Sequence, residues 1–216
     1  MLALYGHPFS SYTWKALIAL YANETPFEFR VVDADHPGHV ELVQSASPLG
    51  KFPVLEHGDN LIFETSPIIE YLDAHFPGDH RFVPSDTDAA IVVRMLDRVF
   101  DHYVMNVMQI VVDEHIRSGA QADPVRCEEA RTRLRRSYAW IENWLAYYPE
   151  REQITLVECA AAPALFYADW VEPIGEACPR LAAWRRHLLA LPPVKRCVED
   201  ARPFRHFFPP GAPDRD

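Results

Sequence analysis

"LYGHPFSSYTWKALIALY", residues 4–21, joins an apolar, strand-like run to a helical pattern through a turn marked by Gly6 and Pro8. Trp14, Leu17, Ile18 and Tyr21 recur at helical spacing, which predicts a helix from about Ser11 to Ala22. Four hydroxyls, those of Ser10, Ser11, Tyr12 and Thr13, crowd the junction. They either cap the helix or serve a chemical step.

Outward from this junction the pattern continues regularly. "LALYG" (2–6) reads as the first strand, "NETPF" (23–27) ends the helix, and "FEFRVVD" (27–33) reads as a second strand. Strand, helix and strand within about thirty residues form a parallel crossover unit. The segment 33–50 is polar and loop-rich, with a weak helical turn around Val40 to Gln44. In "FPVLEHGDNLIFET" (52–65) two apolar runs flank a turn-rich centre, which predicts a β-hairpin. A helix follows from about Ser66, with Ile68, Ile69, Leu72 and Phe76 on one face.

Beyond "PGDHRFVPSDTDAA" (77–90) no strand pattern appears. Helical patterns run from Thr87 to Ser118, Pro124 to Tyr147, Leu156 to Val171, Pro179 to Leu191 and Pro193 to Ala201. The organisation is therefore an α/β unit over 1–78, a linker over 79–87, an all-helical unit over 88–208 and a flexible tail over 209–216.

The totals limit the function classes. With 21 basic and 31 acidic residues among 216, the net charge of −10 argues against a nucleic-acid partner, which needs a basic face. Cys127, Cys159, Cys178 and Cys197 show no zinc-site spacing and read as reduced, buried thiols of a cytoplasmic protein; no metal is expected. No apolar run approaches the ~20 residues of a membrane span. The first residues lack the pattern of a signal peptide and read as a strand of the mature chain.

Three features of the first unit belong together: the hydroxyl cluster, "GKFPVL" (50–55) with a proline at the head of a strand, and "FETSPIIEYL" (63–72) opening a helix after a strand. In these motifs the sequence resembles the cytosolic glutathione transferases, and the likeness covers nearly the whole chain. The resemblance implies a thioredoxin-like amino-terminal domain and an all-α carboxyl-terminal domain. It makes Pro53 a cis-proline and Glu64-Thr65 the pair that grips the γ-glutamyl end of glutathione, with threonine where the family usually has serine. "ITLVECAAAPALFYADW" (154–170) resembles the family's buried helix with a capping box, Thr155 and Glu158 standing at S/T-x-x-E spacing. Glu158 replaces a more usual aspartate.

The implied chemistry follows from the thiol. At a pKa of ~8.5 only a few per cent is thiolate, the nucleophilic form, at neutral pH. Lowering that pKa by two units takes roughly 2.7 kcal/mol of preferential anion stabilisation. A hydroxyl donor together with helix-terminal amides can supply it. Ser10 matches the serine-type position, four residues after Gly6, with Ser11, Tyr12 and Tyr5 as alternatives. At Ser11 a helix N-cap is the simpler role.

By the same resemblance Phe52 uses its main chain to clamp the cysteinyl part of glutathione. Glu64 holds the α-ammonium, Thr65 the γ-glutamyl carboxylate, and Lys51 and His39 are candidates for the glycyl carboxylate. Phe9, Tyr12, Tyr103, Met105 and Met108 are candidates for the apolar pocket of the second substrate, a role that helical core packing competes for. The partners implied are glutathione, as co-substrate, and an apolar electrophile. A homodimer is implied too, with Leu49 where some classes place an aromatic key.

The activity implied is thiol activation and conjugation, a serine-type transferase with a detoxifying role. Alternatives from the same resemblance are a glutathione-dependent peroxidase, dehalogenase or isomerase, or a non-catalytic glutathione-transferase-like binding protein. No cysteine lies near residue 10, which counts against disulfide exchange by an enzyme thiol. "RPFRHFFPPGAP" (202–213) could cover the cleft or lie on the surface.

Overall fold

The computed structural model describes residues 1–148 and 153–216. Strands β1 (Leu2–Gly6), β2 (Glu28–Val31), β3 (Val54–His57) and β4 (Asn60–Phe63) form one sheet in the order β2-β1-β3-β4. Helix α1 (Ser11–Ala22) carries the chain from β1 to its parallel neighbour β2. β3 runs antiparallel to β1, with Leu4 opposite Leu55, and turns into β4 through Gly58, whose φ of 61° suits the turn. Helix α2 (Pro37–Ala46) precedes the hairpin and α3 (Thr65–His75) follows it.

Side-chain alternation along β1 sorts the two faces. Leu2 and Leu4 join the large core with Trp14, Leu17, Ile68 and Leu72, whereas Ala3 and Tyr5 join Val32, Val43 and Val54 in a smaller cluster against α2. The weak helical turn expected at Val40 to Gln44 is part of a ten-residue helix. Its apolar signal is faint because Val43 alone is buried, while Pro37 at its first turn supplies the start that periodicity does not.

Beyond α3, α4 (Thr87–Val99), a π-helical segment (Phe100–Met105) and α5 (Asn106–Ser118) form one uninterrupted rod. α6 (Pro124–Trp144), α7 (Leu156–Val171), α8 (Pro179–Ala190) and α9 (Pro192–Ala201) complete the helical part, and a 3-10 helix spans Arg202–Phe207. This is the expected architecture, a thioredoxin-like α/β part followed by an all-α part.

Every residue of α7 is buried. Such a helix needs its own start signal, and the capping box provides it: Glu158 Oε2 accepts from the Thr155 amide at 2.8 Å and Thr155 Oγ1 accepts from the Val157 amide at 3.2 Å. α7 lies against α1, with the Trp14 ring 4.8 Å from Phe166 and 5.4 Å from Tyr167. One apolar core thus runs from the sheet into the helical part. The four cysteines are free and buried within it. Among the described residues no helix is long and apolar enough to cross a membrane.

Candidate active site

The loop between β1 and α1 is pinned from several sides. Gly6 lets β1 end against the helix: a Cβ there would stand 2.6 Å from Thr13 Cγ2, so a side chain cannot fit. The His7 amide donates to Thr13 Oγ1 at 3.3 Å, Trp14 Nε1 to the Pro8 carbonyl at 2.5 Å, and the Tyr167 hydroxyl to the Phe9 carbonyl at 2.8 Å. The Phe9 amide donates to His7 Nδ1 at 3.1 Å, and burial pushes the His7 pKa down, which favours the neutral ring that can accept this bond.

Ser10 is the N-cap of α1. It has extended backbone angles, and its Oγ accepts from the Thr13 amide at 3.2 Å. The expectation that Ser11 caps the helix is corrected: Ser11 is already the first helical residue, and the cap is made by Ser10 before it. The Ser10 Oγ lone pair is used by the cap, and its proton is available to donate.

Ser10 and Ser11 line a cleft of about 530 Å³ with Phe9, Tyr12, Lys51, Phe52, Met108 and Tyr167. The Phe52–Pro53 peptide is cis. Ser47 closes the turn before it, accepting from the Lys51 amide at 2.8 Å and donating to the Lys51 carbonyl at 3.1 Å. The cleft therefore joins a helix amino terminus, the Lys51 side chain and an apolar wall.

Tyr12 lines the cleft, but its hydroxyl donates to Asn106 Oδ1 at 2.8 Å. Burial, with the nearby carboxylates of Asp101, Glu64 and Asp97, pushes its pKa well above that of an ordinary phenol. Tyr5 is elsewhere: it faces the α2 side of the sheet, where its hydroxyl donates to Glu56 Oε2 at 3.1 Å and accepts from Arg30. It does not line the cleft, because the alternation of β1 turns residues 3 and 5 away from α1.

Glu64 is exposed and has φ 66°, a left-handed angle that costs a non-glycine residue energy. Thr65 begins α3 and is 5% exposed. His39 sits on α2, its Nδ1 on the Val31 carbonyl at 2.7 Å and its ring stacked on His36 at 5.1 Å. It is not among the residues that line the cleft.

Two expected pocket residues are displaced. Met105 is 2% exposed and belongs to the core, and Tyr103, 59% exposed, faces a separate groove with Met95, Arg136 and Trp140. Helical spacing accounts for Tyr103: it stands five residues before Met108, about 140° around an ideal helix, and shares its groove with Met95, Val99 and Val107 at four-residue intervals. Asn106, Gln109, Val112, Asp113 and Ile116 line the cleft and were not singled out by the sequence; Phe207, Phe208 and Pro209 line it too, so of the two placements open to "RPFRHFFPPGAP" the segment takes the one at the cleft.

Sequence reasoning also missed the charged cluster behind the site. Lys15, 1% exposed, donates to Ser66 Oγ at 3.1 Å and to Asp101 at 2.8 and 2.9 Å, and lies 2.5 Å from Asp97 Oδ1. Ser66 Oγ donates to Asp97 Oδ2 at 2.7 Å. The cluster ties α1, α3 and the rod together. A lysine within the apolar run "TWKALIAL" and two aspartates four residues apart were the available signals.

Among the described residues no group of His, Cys, Asp or Glu could hold a metal ion. Residues 209–216, which composition suggests are a flexible tail, instead carry tertiary contacts: Pro209 lines the cleft and Arg215 pairs with Asp169.

Residues 4–80 match a family model described as "Glutathione S-transferase, N-terminal domain". The chain is 25% identical over 208 residues to glutathione S-transferase F6 of Arabidopsis thaliana, covering 91% of this chain and 99% of that one. It is 29% identical over 193 residues to human glutathione S-transferase theta-2, covering 82% and 76%. The crystal structure of glutathione transferase F7 from Populus trichocarpa superposes with a TM-score of 0.78 at 21% identity, covering 93% of this chain and 99% of that one.

Proposed function

We propose that the chain is a glutathione S-transferase, which activates the thiol of glutathione and conjugates it to an electrophilic small molecule; the match of residues 4–80 and the likeness to named transferases over most of the chain support this. Ser10 carries this reading. Its oxygen caps α1 through Thr13 and its proton is left to donate into the cleft, so a sulfur anion there meets a hydroxyl donor and the positive end of a helix.

In this reading Phe52 presents its main chain to the cysteinyl part, beside the cis bond to Pro53. Lys51, which lines the cleft, takes the glycyl carboxylate, with His39 as the second candidate. Glu64 receives the α-ammonium, and its carboxylate is close enough to raise the pKa of Tyr12. Thr65, at the start of α3, receives the γ-glutamyl carboxylate. The electrophile lies on the side of Phe9, Tyr12 and Met108.

A detoxifying enzyme of the cytoplasm fits four free cysteines. A homodimer is part of the proposal; its support is the apolar face of α4, where Ile91 and Met95 are exposed, and Leu49, 78% exposed. Calorimetric titration tests the reading at its root. Glutathione should bind with a dissociation constant below millimolar, and no heat at millimolar ligand would remove the proposal.

A further inference from the structure

The turn between β1 and α1 comprises His7, Pro8, Phe9 and Ser10, and each of its backbone polar groups has a partner. The His7 amide donates to Thr13 Oγ1 at 3.3 Å, and the Ser10 amide donates to the His7 carbonyl at 3.0 Å, closing a β-turn with proline at its second position. The Pro8 and Phe9 carbonyls accept from Trp14 Nε1 and the Tyr167 hydroxyl. Pro8 has no N–H. The remaining donor is the Phe9 amide, and its acceptor is His7 Nδ1 at 3.1 Å.

A backbone amide can only donate, so Nδ1 is unprotonated and the neutral ring carries its proton on Nε2. Burial, which lowers the His7 pKa, favours that form, and the Asp33 carboxylate acts in the opposite direction. In turns this bond, from the first side chain to the amide two residues on, is ordinarily made by asparagine or aspartate. Histidine adds a ring, which packs edge-on against Phe204 at 4.8 Å and lies 6.4 Å from Phe207, both in the 3-10 helix. His7 thus has two separable functions, an acceptor within the turn and an apolar contact outside it. Through the acceptor it holds Phe9, the residue before Ser10, whose extended angles (φ −92°, ψ 125°) start α1.

We propose that His7 is a positioning residue for thiol activation: through the bond from the Phe9 amide to Nδ1 it fixes where the Ser10 hydroxyl stands at the amino terminus of α1. This rests on the transferase reading with Ser10 as thiol donor. His7 is not among the residues that line the cleft, and it acts through Ser10.

Two reciprocal variants separate the functions. His7→Asn keeps an acceptor at the level of Nδ1 and removes the ring, whereas His7→Phe keeps a ring and removes the acceptor. The readouts are the thiol pKa of bound glutathione, followed by thiolate absorbance, and glutathione affinity by calorimetry. His7→Phe should raise the bound-thiol pKa by about half to one unit, roughly a three- to tenfold loss of thiolate near neutrality, with glutathione affinity nearly unchanged. His7→Asn should keep the parent's thiol pKa while lowering Tm. In a Ser10→Ala background His7→Phe should raise the pKa no further, because the hydroxyl it positions is gone. A thiol pKa in His7→Phe equal to the parent's, a rise in His7→Asn as large as in His7→Phe, or a full rise in the Ser10→Ala background overturns the inference and leaves the transferase reading standing. A parent whose bound thiol keeps the pKa of free glutathione removes the thiol-activation reading and the inference together.

Discussion

Ser10 Oγ accepts the amide proton of Thr13 at 3.2 Å, so the residue that starts α1 is also one that lines the cleft. These two roles can be separated. Ser10→Gly removes the hydroxyl at a cost of only a few tenths of a kcal/mol in capping, whereas Ser10→Ala costs about 1 kcal/mol, or roughly 2–4 °C in Tm for a chain of this size. Both variants should move the pKa of the bound thiol up by about one to two units, the equivalent of one charge-assisted hydrogen bond. In pH-rate profiles kcat/KM near neutrality should fall about 10- to 100-fold in both. Profiles that coincide with the parent's would show that Ser10 is not the thiol donor.

Tyr12 should titrate late and matter little for the thiol. Its hydroxyl is committed to Asn106, and its pKa is raised by burial and by Asp101, Glu64 and Asp97. A raised phenol pKa means the folded state disfavours the anion. The contribution to stability is therefore whole below the unfolded pKa of ~10 and is lost as pH rises through the folded value. Spectrophotometric titration of the parent against Tyr12→Phe should show no Tyr12 ionisation near pH 10 in the folded protein. A thiol pKa that rises in Tyr12→Phe as far as in Ser10→Ala would assign the donor role to Tyr12.

Lys15→Met should destabilise by about 3–5 kcal/mol, because it strands two buried carboxylates. Asp101 already has a raised pKa, with burial outweighing Lys15. A carboxyl raised in the folded state favours folding as it gains its proton, so its contribution is present at low pH and lost as pH rises through its folded pKa. Without Lys15 that pKa rises further. Urea unfolding of Lys15→Met should accordingly show stability recovering between about pH 7 and pH 5. The added change Asp101→Asn should restore part of the loss at pH 7. Equal deficits at both pH values would contradict this account.

Tyr5→Phe and Tyr103→Ala should leave kcat/KM for conjugation within about twofold of the parent. Tyr5 lies on the far face of the sheet with Arg30 and Glu56, and Tyr103 faces another groove. Stability should fall by about 1 kcal/mol in Tyr5→Phe, which removes a hydroxyl bonded on two sides. A tenfold drop in kcat/KM from either change would return that residue to the site.

Much of the fold was legible because its signals are local. Trp14, Leu17, Ile18 and Tyr21 spell α1 at its observed limits, and the capping pair Thr155 and Glu158 marks the start of α7. The cleft's framework, Ser10 with Lys51 and Phe52, was legible through motif resemblance. Legibility failed where phase or pairing changed. Tyr103 and Met105 are two residues apart and so fall on different faces of the rod, one exposed in a separate groove and one in the core, which a shared stretch of sequence does not reveal. "PPGAPDRD" looked like a tail because its composition lacks apolar residues, yet its charges find partners in Asp169, Arg202 and Arg205.

The sequence by itself determined the elements, their order and the chemical types at the β1–α1 junction, since helical and strand periodicity depends on neighbours a few residues apart. Tertiary structure decided the rest. It made Ser10 the cap, gave Lys15 its two aspartates 82 and 86 residues away, and brought Phe207 to the same cleft as Ser10. Those relations arise from packing between distant segments, where burial forces each charge or hydroxyl to find whatever partner the fold places beside it.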